Sequence, residues 1–508
     1  MSFRVSNSIS RINRPFNIQP RPVVQELPKN YNLLKGAISD WMVAVLKTGA
    51  NNKVAPTRGS RFYFLAASIL VDSYNVLNNT SFDMFSSLSQ LHVRIPETQR
   101  DVWIELCAYN GLKKLLESFS YSITELDSVK NTHSLIYNEL YSQMNNYTLH
   151  LNTWLQRVDN YINLRKNDGS VVDEPSSNFP NNGQFIEVTT GQDLSQLNVP
   201  TAWTPLHITA KDKNINQSYL TSTWGNVTGL IDSTVINTLK TDIINTFYPS
   251  DEFHLQETKE VLDVSKNLTP KEKMSAEFWA GGPGTVTPPG LWILFSTYCA
   301  YHYNIDTLSE LTLYKRITSG LFQASIVCWA VKREKMQERP IQAIRRLLDE
   351  DVSNWTSNTD INTDVWQPYQ EIDFVTPPFP DFVSGHSTFS GVASRILTNF
   401  FKTGIIPNGK VNFDQTLMGL ISPSFSIKCD GKCNISNILI YPQTSFIQNG
   451  IPDITDMPQT GLCLEWTTWD QMAEDAGKSR IYGGIHYESS NQGGLSLGRN
   501  LAPYFYNL

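Results

Sequence analysis

Residues 379–389 read FPDFVSGHSTF, and the interpretation of the chain starts from this stretch. A proline-rich turn leads into Ser384, Gly385 and His386, and then into a pattern of small and apolar residues typical of a helix. The first turn of a helix has unpaired backbone N–H groups, and its dipole favours a negative charge. We therefore expect an anion site here, with Ser384 as a hydroxyl donor, Gly385 allowing close approach and His386 exchanging a proton. An ordinary helix cap is the alternative interpretation.

Two flanking segments supply positive charge. Upstream, Lys332 and Arg339 are seven positions apart, which is about two helical turns, so one helix would carry both on the same face. Downstream, five residues separate Arg480 from His486. Three cations, an amide-rich turn and two histidines are groups that hold a tetrahedral oxyanion and react with it.

The order of these blocks carries a family resemblance. Lys–six residues–Arg–Pro, then Ser–Gly–His, then Ser–Arg–five residues–His resembles the signature of the vanadium haloperoxidase and type 2 phosphatidic acid phosphatase superfamily. The helical patterns predict a mainly α-helical protein with long irregular insertions. The resemblance implies two packed helical bundles, with the active site in the C-terminal bundle and vanadate as the cofactor.

The resemblance also implies catalytic roles. His486 matches the histidine that bonds the central atom, vanadium in haloperoxidases or phosphorus in phosphatases, through a neutral imidazole. His386 matches the acid–base histidine that faces the apical ligand. Lys332 would polarise bound peroxide. The residues implied for oxyanion binding are Lys332, Arg339, Ser384, Gly385 and Arg480.

Two chemistries fit these residues, because vanadate and phosphate are isostructural. The leading hypothesis is oxidation of bromide or chloride by hydrogen peroxide to hypohalous acid, with a small organic acceptor. The alternative is a soluble acid phosphatase that acts on a phosphate ester through a phosphohistidine intermediate. A third interpretation is an oxyanion-binding protein without turnover. Trp329 and Phe379 are halide-pocket candidates, since chloroperoxidase-type members carry the same aromatic types there; both also fit an ordinary core.

The composition of the chain restricts the kinds of partner that it is expected to bind. The chain has 508 residues, 40% hydrophobic and 18% charged, with a formal net charge of −7. This charge argues against nucleic acid or an anionic membrane surface as the main partner. No apolar run reaches transmembrane length and no signal peptide is visible, so we expect a soluble protein, cytoplasmic by default, with a homo-oligomer allowed.

The six cysteines predict little disulfide bonding. Cys107, Cys299 and Cys328 lie in apolar helical patterns and are expected to be reduced core residues. Cys429 and Cys433 form a small disulfide loop, half of a metal site, or simply two loop thiols.

The chain divides into an arm and two halves. Residues 1–30 read as an N-terminal arm, and 31–265 as an N-terminal helical half with an irregular segment at 167–250. Residues 266–508 read as the C-terminal catalytic half, with an insertion at 404–465.

Details within the halves give further expectations. Long helices are predicted at 98–125 and 128–165. Asp72, on an otherwise apolar helix, is expected to be a structural ion-pair or cap partner. Gly281 stands where similar bacterial proteins often carry an acidic residue, so the acidic partner of the site cations is left open.

Overall fold

The computed structural model describes most of the chain. The described residues are 36–78, 91–143, 147–174, 178–181, 183–210, 212–354, 357–406, 410–412 and 463–508. The predicted arm at 1–30 and most of the predicted insertion at 404–465, with Cys429 and Cys433, lie outside them.

Helices dominate the described residues, which form fourteen of them. Those of the N-terminal half are α1 (Ala37–Asn51), α2 (Pro56–Asn78), α3 (Arg100–Ser118), α4 (Thr124–Gln143), α5 (Thr148–Lys166), α6 (Ser233–Phe247) and α7 (Asp251–Lys266). Those of the C-terminal half are α8 (Pro270–Phe278), α9 (Thr287–His302), α10 (Thr307–Lys335), α11 (Pro340–Leu347), α12 (Gly385–Phe401), α13 (Trp469–Tyr482) and α14 (Glu488–Leu501). The expectation of a mainly α-helical fold is confirmed.

The strands are short and peripheral to this helical framework. They are β1 (Ile186–Glu187), β2 (Leu206–Ala210), β3 (Lys213–Asn216), β4 (Asp351–Asn354), β5 (Ser357–Asn362), β6 (Lys410–Asn412) and β7 (Cys463–Glu465). β1 pairs in parallel with β2, which pairs antiparallel with β3 in the register His207 to Asn216. β4 pairs antiparallel with β5, and β6 with β7.

Helix α10 is the axis that joins the two halves. It packs against α1 and α2 of the N-terminal half and against α12 and α14 of the C-terminal half. The rings of Phe64 on α2 and Phe322 on α10 stack with centroids 4.9 Å apart, within one hydrophobic core that runs through both halves. Among the described helices, none is long and apolar enough to cross a membrane.

Three expectations about individual elements need correction. The segment 167–250 is not irregular throughout, because it contains β1 to β3 and helix α6. The N-cap of α6 is Asp232, whose side chain accepts a hydrogen bond from the N–H of Thr234. The helix expected at 98–125 ends at Ser118, shortly before Ser120 adopts a left-handed backbone with φ 58°. The single helix expected at 128–165 is two helices, α4 and α5. Apolar periodicity locates a helical region but does not mark where one helix ends.

Asp72 is a structural ion-pair partner, as expected. Its carboxylate is 2% exposed and lies 3.0 Å from Nε of Arg157, which pairs with it from α5. Nε1 of Trp154 donates to it at 3.1 Å. The expectation for the cysteines is also confirmed where it is described: Cys107, Cys299 and Cys328 are buried free thiols.

Candidate active site

Helix α12 begins where the sequence predicts it. Ser384 is the N-cap, and its Oγ accepts from the N–H of Ser387 at 3.3 Å. The N–H of Ser384 donates to the carbonyl of Ser490 at 3.0 Å, which ties this helix start to α14. Gly385 and His386 form the first turn and line a cavity. The cap and the anion-site interpretations are therefore compatible, since the cap leaves the amides of this turn available.

Backbone carbonyls of the proline-rich turn before α12 bind the side chains of two of the predicted cations. The ammonium of Lys332 donates to the carbonyls of Pro380 and Asp381, at 2.8 and 2.7 Å. Nε of Arg339 donates to the carbonyl of Phe379 at 2.8 Å. Both side chains are almost fully buried.

Lys332 and Arg339 do not share a helix, so the argument from a common helical face is wrong. Helix α10 ends at Lys335, because Met336 adopts a left-handed backbone with φ 47°. Arg339 is the N-cap of α11, with φ −83° and ψ 158°. A residue that precedes a proline is sterically pushed away from the helical conformation, and Pro340 provides that signal in the sequence. The two cations meet through the turn at 379–381 instead.

Arg480, in the last turn of α13, is held by the C-terminal end of α8. Its Nη1 donates to the carbonyls of Trp279 and Ala280 at 3.0 and 3.3 Å, and its Nη2 to that of Ala276 at 3.0 Å. Trp279 and Ala280 directly precede Gly281, the position at which an acidic partner for the site cations was sought. Carbonyls at a helix C-terminus carry partial negative charge, so they hold the guanidinium without cancelling its charge.

His386 shares the same carbonyl end. Its Nε2 lies 2.7 Å from the oxygen of Trp279. A carbonyl only accepts hydrogen bonds, so Nε2 carries a proton, and Nδ1 holds a lone pair in the neutral ring. Burial, together with nearby Arg480, keeps the pKa of His386 well below its ordinary value. The ring is therefore neutral at physiological pH.

His486 lies in the turn between α13 and α14. It precedes α14 by two residues. The turn depends on Gly484, whose φ is +66° and at which a Cβ would lie 2.8 Å from Cβ of Pro368. This turn carries the imidazole back towards Arg339, whose Nη1 donates to the carbonyl of Ile485 at 2.7 Å.

The contacts of His486 fix its tautomer. Nδ1 lies 2.8 Å from Oδ1 of Asp381 and 3.2 Å from Oγ of Ser490. The Ser490 hydroxyl donates to the backbone carbonyl of Asp381, so both neighbours of Nδ1 act as acceptors and we place the proton on Nδ1. Nε2 then carries the lone pair, and it lies 3.1 Å from Nη1 of Arg339. Burial lowers the pKa of His486 to about 3, so its ring is neutral.

Asp381 is a functional candidate that the sequence reasoning missed. It is fully buried, lies 3.6 Å from Nη1 of Arg339 and has no well-aligned hydrogen bond to either carboxylate oxygen among the described residues. Burial raises the pKa of Asp381, but His486, Arg339 and Lys332 lower it by more than that. The acidic partner that we could not name thus lies inside the stretch quoted first, and its position three residues before Ser384 was the available signal.

The remaining donors of the two arginines point to an anion. Nη2 of Arg339 and Nε of Arg480 are buried and have no partner among the described residues. Burial lowers the pKa of Lys332 to about 7, and its ammonium has one N–H beyond the two that bind carbonyls. With Lys332 protonated, three cations less the carboxylate of Asp381 leave two positive charges. These donors, with the Nε2 lone pair of His486, fit vanadate or phosphate in charge and in donor type.

The cavity over these groups measures about 270 Å³. Gly385, His386, Arg480 and His486 line one part of it, while the buried Lys332, Arg339 and Ser384 lie behind the lining. Both halide-pocket candidates line it as well: the rings of Trp329 and Phe379 have centroids 4.9 Å apart. Residues 53–56, between α1 and α2, complete the lining, so the N-terminal half contributes to the cavity.

Comparisons with known proteins agree with this fold. Residues 312–508 match the family described as the VCPO second helical-bundle domain. A holo-type bacterial vanadium-dependent chloroperoxidase superposes with a TM-score of 0.65 at 14% identity, covering 94% of this chain and 98% of that chain. A bacterial vanadium-dependent iodoperoxidase superposes with a TM-score of 0.62 at 18% identity, covering 95% and 98%. No curated protein matches the chain. At these identities the structural likeness establishes the fold.

Proposed function

We propose that the chain is a vanadium-dependent haloperoxidase of the vanadium haloperoxidase and type 2 phosphatidic acid phosphatase superfamily, a proposal supported by the match of residues 312–508 to the VCPO second helical-bundle domain. It would oxidise bromide or chloride with hydrogen peroxide to hypohalous acid, with vanadate held at His486. The observation that carries this proposal is the pair of unpartnered buried donors, Nη2 of Arg339 and Nε of Arg480, beside the neutral imidazole of His486, whose Nε2 carries the lone pair.

Each group of the chain has a defined task in this reaction. Nε2 of His486 would bond the vanadium atom, and Arg339, Arg480 and Lys332 would bind its oxygens. The amide of Gly385 and the hydroxyl of Ser384 would bind further oxygens at the start of α12. Vanadate held in this way supplies a Lewis acid that activates hydrogen peroxide without changing its own oxidation state.

His386 is suited to receive a proton. Its Nε2–H is held on the carbonyl of Trp279, which leaves Nδ1 as the basic atom. The low pKa of the ring keeps Nδ1 unprotonated when peroxide arrives, and a bound anion nearby raises that pKa as the proton is transferred. His386 would therefore act first as a base towards hydrogen peroxide.

The wall of the cavity supports halide as the second substrate. Trp329 and Phe379 present aromatic rings beside the oxyanion groups, and Nε1 of Trp329 is engaged with the carbonyl of Leu220 at 3.2 Å. An apolar wall accommodates a weakly hydrated halide better than a strongly hydrated anion.

A phosphatase remains the second candidate because of one observation. His486 places Nδ1 against Asp381 and keeps its lone pair on Nε2, which is the arrangement of an activated nucleophile. Nε2 would attack the phosphorus atom to form a phosphohistidine while the alcohol leaves. That step also needs His386 to protonate the alcohol, and a bound phosphate would raise the pKa of the ring as vanadate would. The apolar aromatic wall suits a halide better than a bulky phosphate ester, so this candidate ranks second.

Paired assays on the metal-free protein test the proposal. One aliquot receives vanadate, hydrogen peroxide and bromide or chloride with a halogen-accepting dye, and the other receives a chromogenic phosphate ester without vanadate. We expect halogenation that requires vanadate, is lost in His486→Ala and is retained in His207→Ala, a control on β2 outside the cavity lining.

Two outcomes would overturn this ranking. Ester hydrolysis that vanadate inhibits, without halogenation between pH 5 and 8, would favour the phosphatase. Tight binding of vanadate with neither activity would favour an oxyanion-binding protein without turnover.

A further inference from the structure

We propose that the cavity over the oxyanion site binds an organic halogen acceptor with an apolar body and a negative charge, and that Lys53 at the cavity mouth recognises this charge. The inference rests on the proposed function and adds the substrate class to it: aromatic carboxylates and phenolates. In the reaction, hypohalous acid transfers its halogen to a ring carbon, the carbon loses its proton, and water is the other product.

The size and lining of the cavity carry the first part of the inference. Its volume of about 270 Å³ approaches the roughly 300–1,000 Å³ of small-molecule pockets, which is more than a halide and a peroxide require. Away from the oxyanion groups, the lining is mostly apolar, with Thr287 and Gln370 as polar exceptions, and most of its apolar residues carry rings. These residues are Val54, Ala55, Pro56, Leu220, Pro283, Pro288, Trp329, Phe374, Pro377, Pro378, Phe379 and Phe389. Such a surface suits a flat apolar body.

Lys53 supports the second part of the inference, the recognition of a negative charge at the cavity mouth. It lines the cavity and is exposed to solvent, which places it at the mouth. Its backbone is fixed, because its N–H donates to the carbonyl of Ala50 at 3.0 Å and the N–H of Val54 donates to that of Gly49 at 3.1 Å. Its ammonium forms no ion pair with any described residue.

The charge balance of the cavity favours an anion as well. Among the described residues that line it, Arg480 belongs to the oxyanion site, Lys53 is the one further lysine or arginine, and none is an aspartate or a glutamate. The whole protein, in contrast, has a formal net charge of −7. A cavity lined by one sign of charge and by apolar walls concentrates the field and attracts ligands of opposite charge.

A matched pair of probes tests this preference without turnover. 4-Hydroxybenzoate and its neutral analogue 4-hydroxybenzamide are titrated calorimetrically into protein that is saturated with vanadate, so that the oxyanion groups are occupied. We expect the wild-type protein to bind the carboxylate about three- to fivefold more tightly than the amide, as a single partly exposed ion pair allows.

Variants of two lysines test whether Lys53 is the residue that causes the preference for the carboxylate. Lys53→Met should abolish the preference by weakening the carboxylate alone, and Lys53→Arg should retain it. Lys47→Met is the matched control, since Lys47 on α1 carries the same charge and does not line the cavity. It should bind both probes as the wild type does. Equal binding of the two probes, no binding of either, or the same loss in both methionine variants would each overturn the inference.

Bromide oxidation in the absence of any organic acceptor separates this inference from the proposed function. Tribromide formation from bromide and hydrogen peroxide should be equal in the wild type and Lys53→Met. If the wild type forms no tribromide, the proposed function fails, and the titration still decides whether the cavity prefers an organic anion. If tribromide forms and neither probe binds, only the present inference fails.

Discussion

Lys332 should make oxyanion binding depend on pH. The side chain is fully buried against two backbone carbonyls, and burial lowers its pKa from 10.5 to about 7. An oxyanion binds best when this group is charged, so affinity should be high below pH 7 and fall as the pH rises above it. Sulfate is the suitable probe, because it is tetrahedral and stays a dianion throughout this range.

The magnitude follows from proton linkage. An opposite charge within about 4–6 Å raises the pKa of a lysine by about 1–3 units, so bound sulfate would bring that of Lys332 to about 8–10. The sulfate dissociation constant should then rise roughly seven- to thirtyfold between pH 6 and pH 8.5. The histidines do not contribute, since burial holds the pKa of His486 at about 3 and that of His386 well below its ordinary value. Arg480, with a pKa of about 9, stays predominantly charged up to pH 8.5.

Calorimetric titration of sulfate at pH 6, 7, 8 and 8.5 provides the measurement. Lys332→Met should bind sulfate more weakly at pH 6 and lose most of the pH dependence. Lys335→Met is the control one turn further along α10, where the ammonium lies 3.8 Å from the centroid of the Tyr248 ring. A wild-type affinity that does not change with pH, or an equal pH dependence in Lys332→Met, would refute the assignment of Lys332 as the titrating group.

Three further substitutions, with Arg58→Met as the control for the third, separate effects on the chemistry from effects on stability. Asp381→Asn should slow halide oxidation about ten- to a hundredfold, because the imidazole of His486 loses the carboxylate that orients it. Sulfate binding should not weaken, since the substitution removes a negative charge from the site. An unchanged rate of halide oxidation would contradict this role. Glu257→Gln should lower the free energy of unfolding in urea by about 1–3 kcal/mol, since this carboxylate caps the start of α14; no loss would contradict that role. Arg157→Met should lower the free energy of unfolding by about 3–5 kcal/mol, because it leaves the buried carboxylate of Asp72 without its ion-pair partner. Arg58→Met, which breaks the exposed pair with Asp173, should lower it by at most about 1 kcal/mol. Equal losses in the two variants would contradict this difference.

Local signals in the sequence were sufficient for the start of α12. The cap residue Ser384, the following glycine and the apolar helix pattern all lie within a few positions of one another, so their interactions are set by chain geometry. The same holds for α8, which begins at Thr269 with a capping box formed with Glu272. Elements whose ends are determined by residues close together in the sequence were therefore predictable.

Contacts between distant segments were not predictable in this way. Asp381 and His486 are 105 positions apart, and only the turn at Gly484 brings the imidazole onto the carboxylate. The path from Lys332 to Arg339 was predicted wrongly because seven positions match a helix only if the helix continues. The signal against it was Pro340, which restricts the residue before it.

The backbone explains how the site stays positively charged inside a protein. Carbonyls of the turn before α12 hold Lys332, and carbonyls at the end of α8 hold Arg480. Arg339 binds one carbonyl from each side of the site, and Asp381 is the single carboxylate near it among the described residues. Dipoles solvate a buried cation without neutralising it, whereas a carboxylate for each cation would cancel the charge that an oxyanion needs. A carboxylate at position 281 would have worked against that charge, which gives a physical reason why glycine is suitable there.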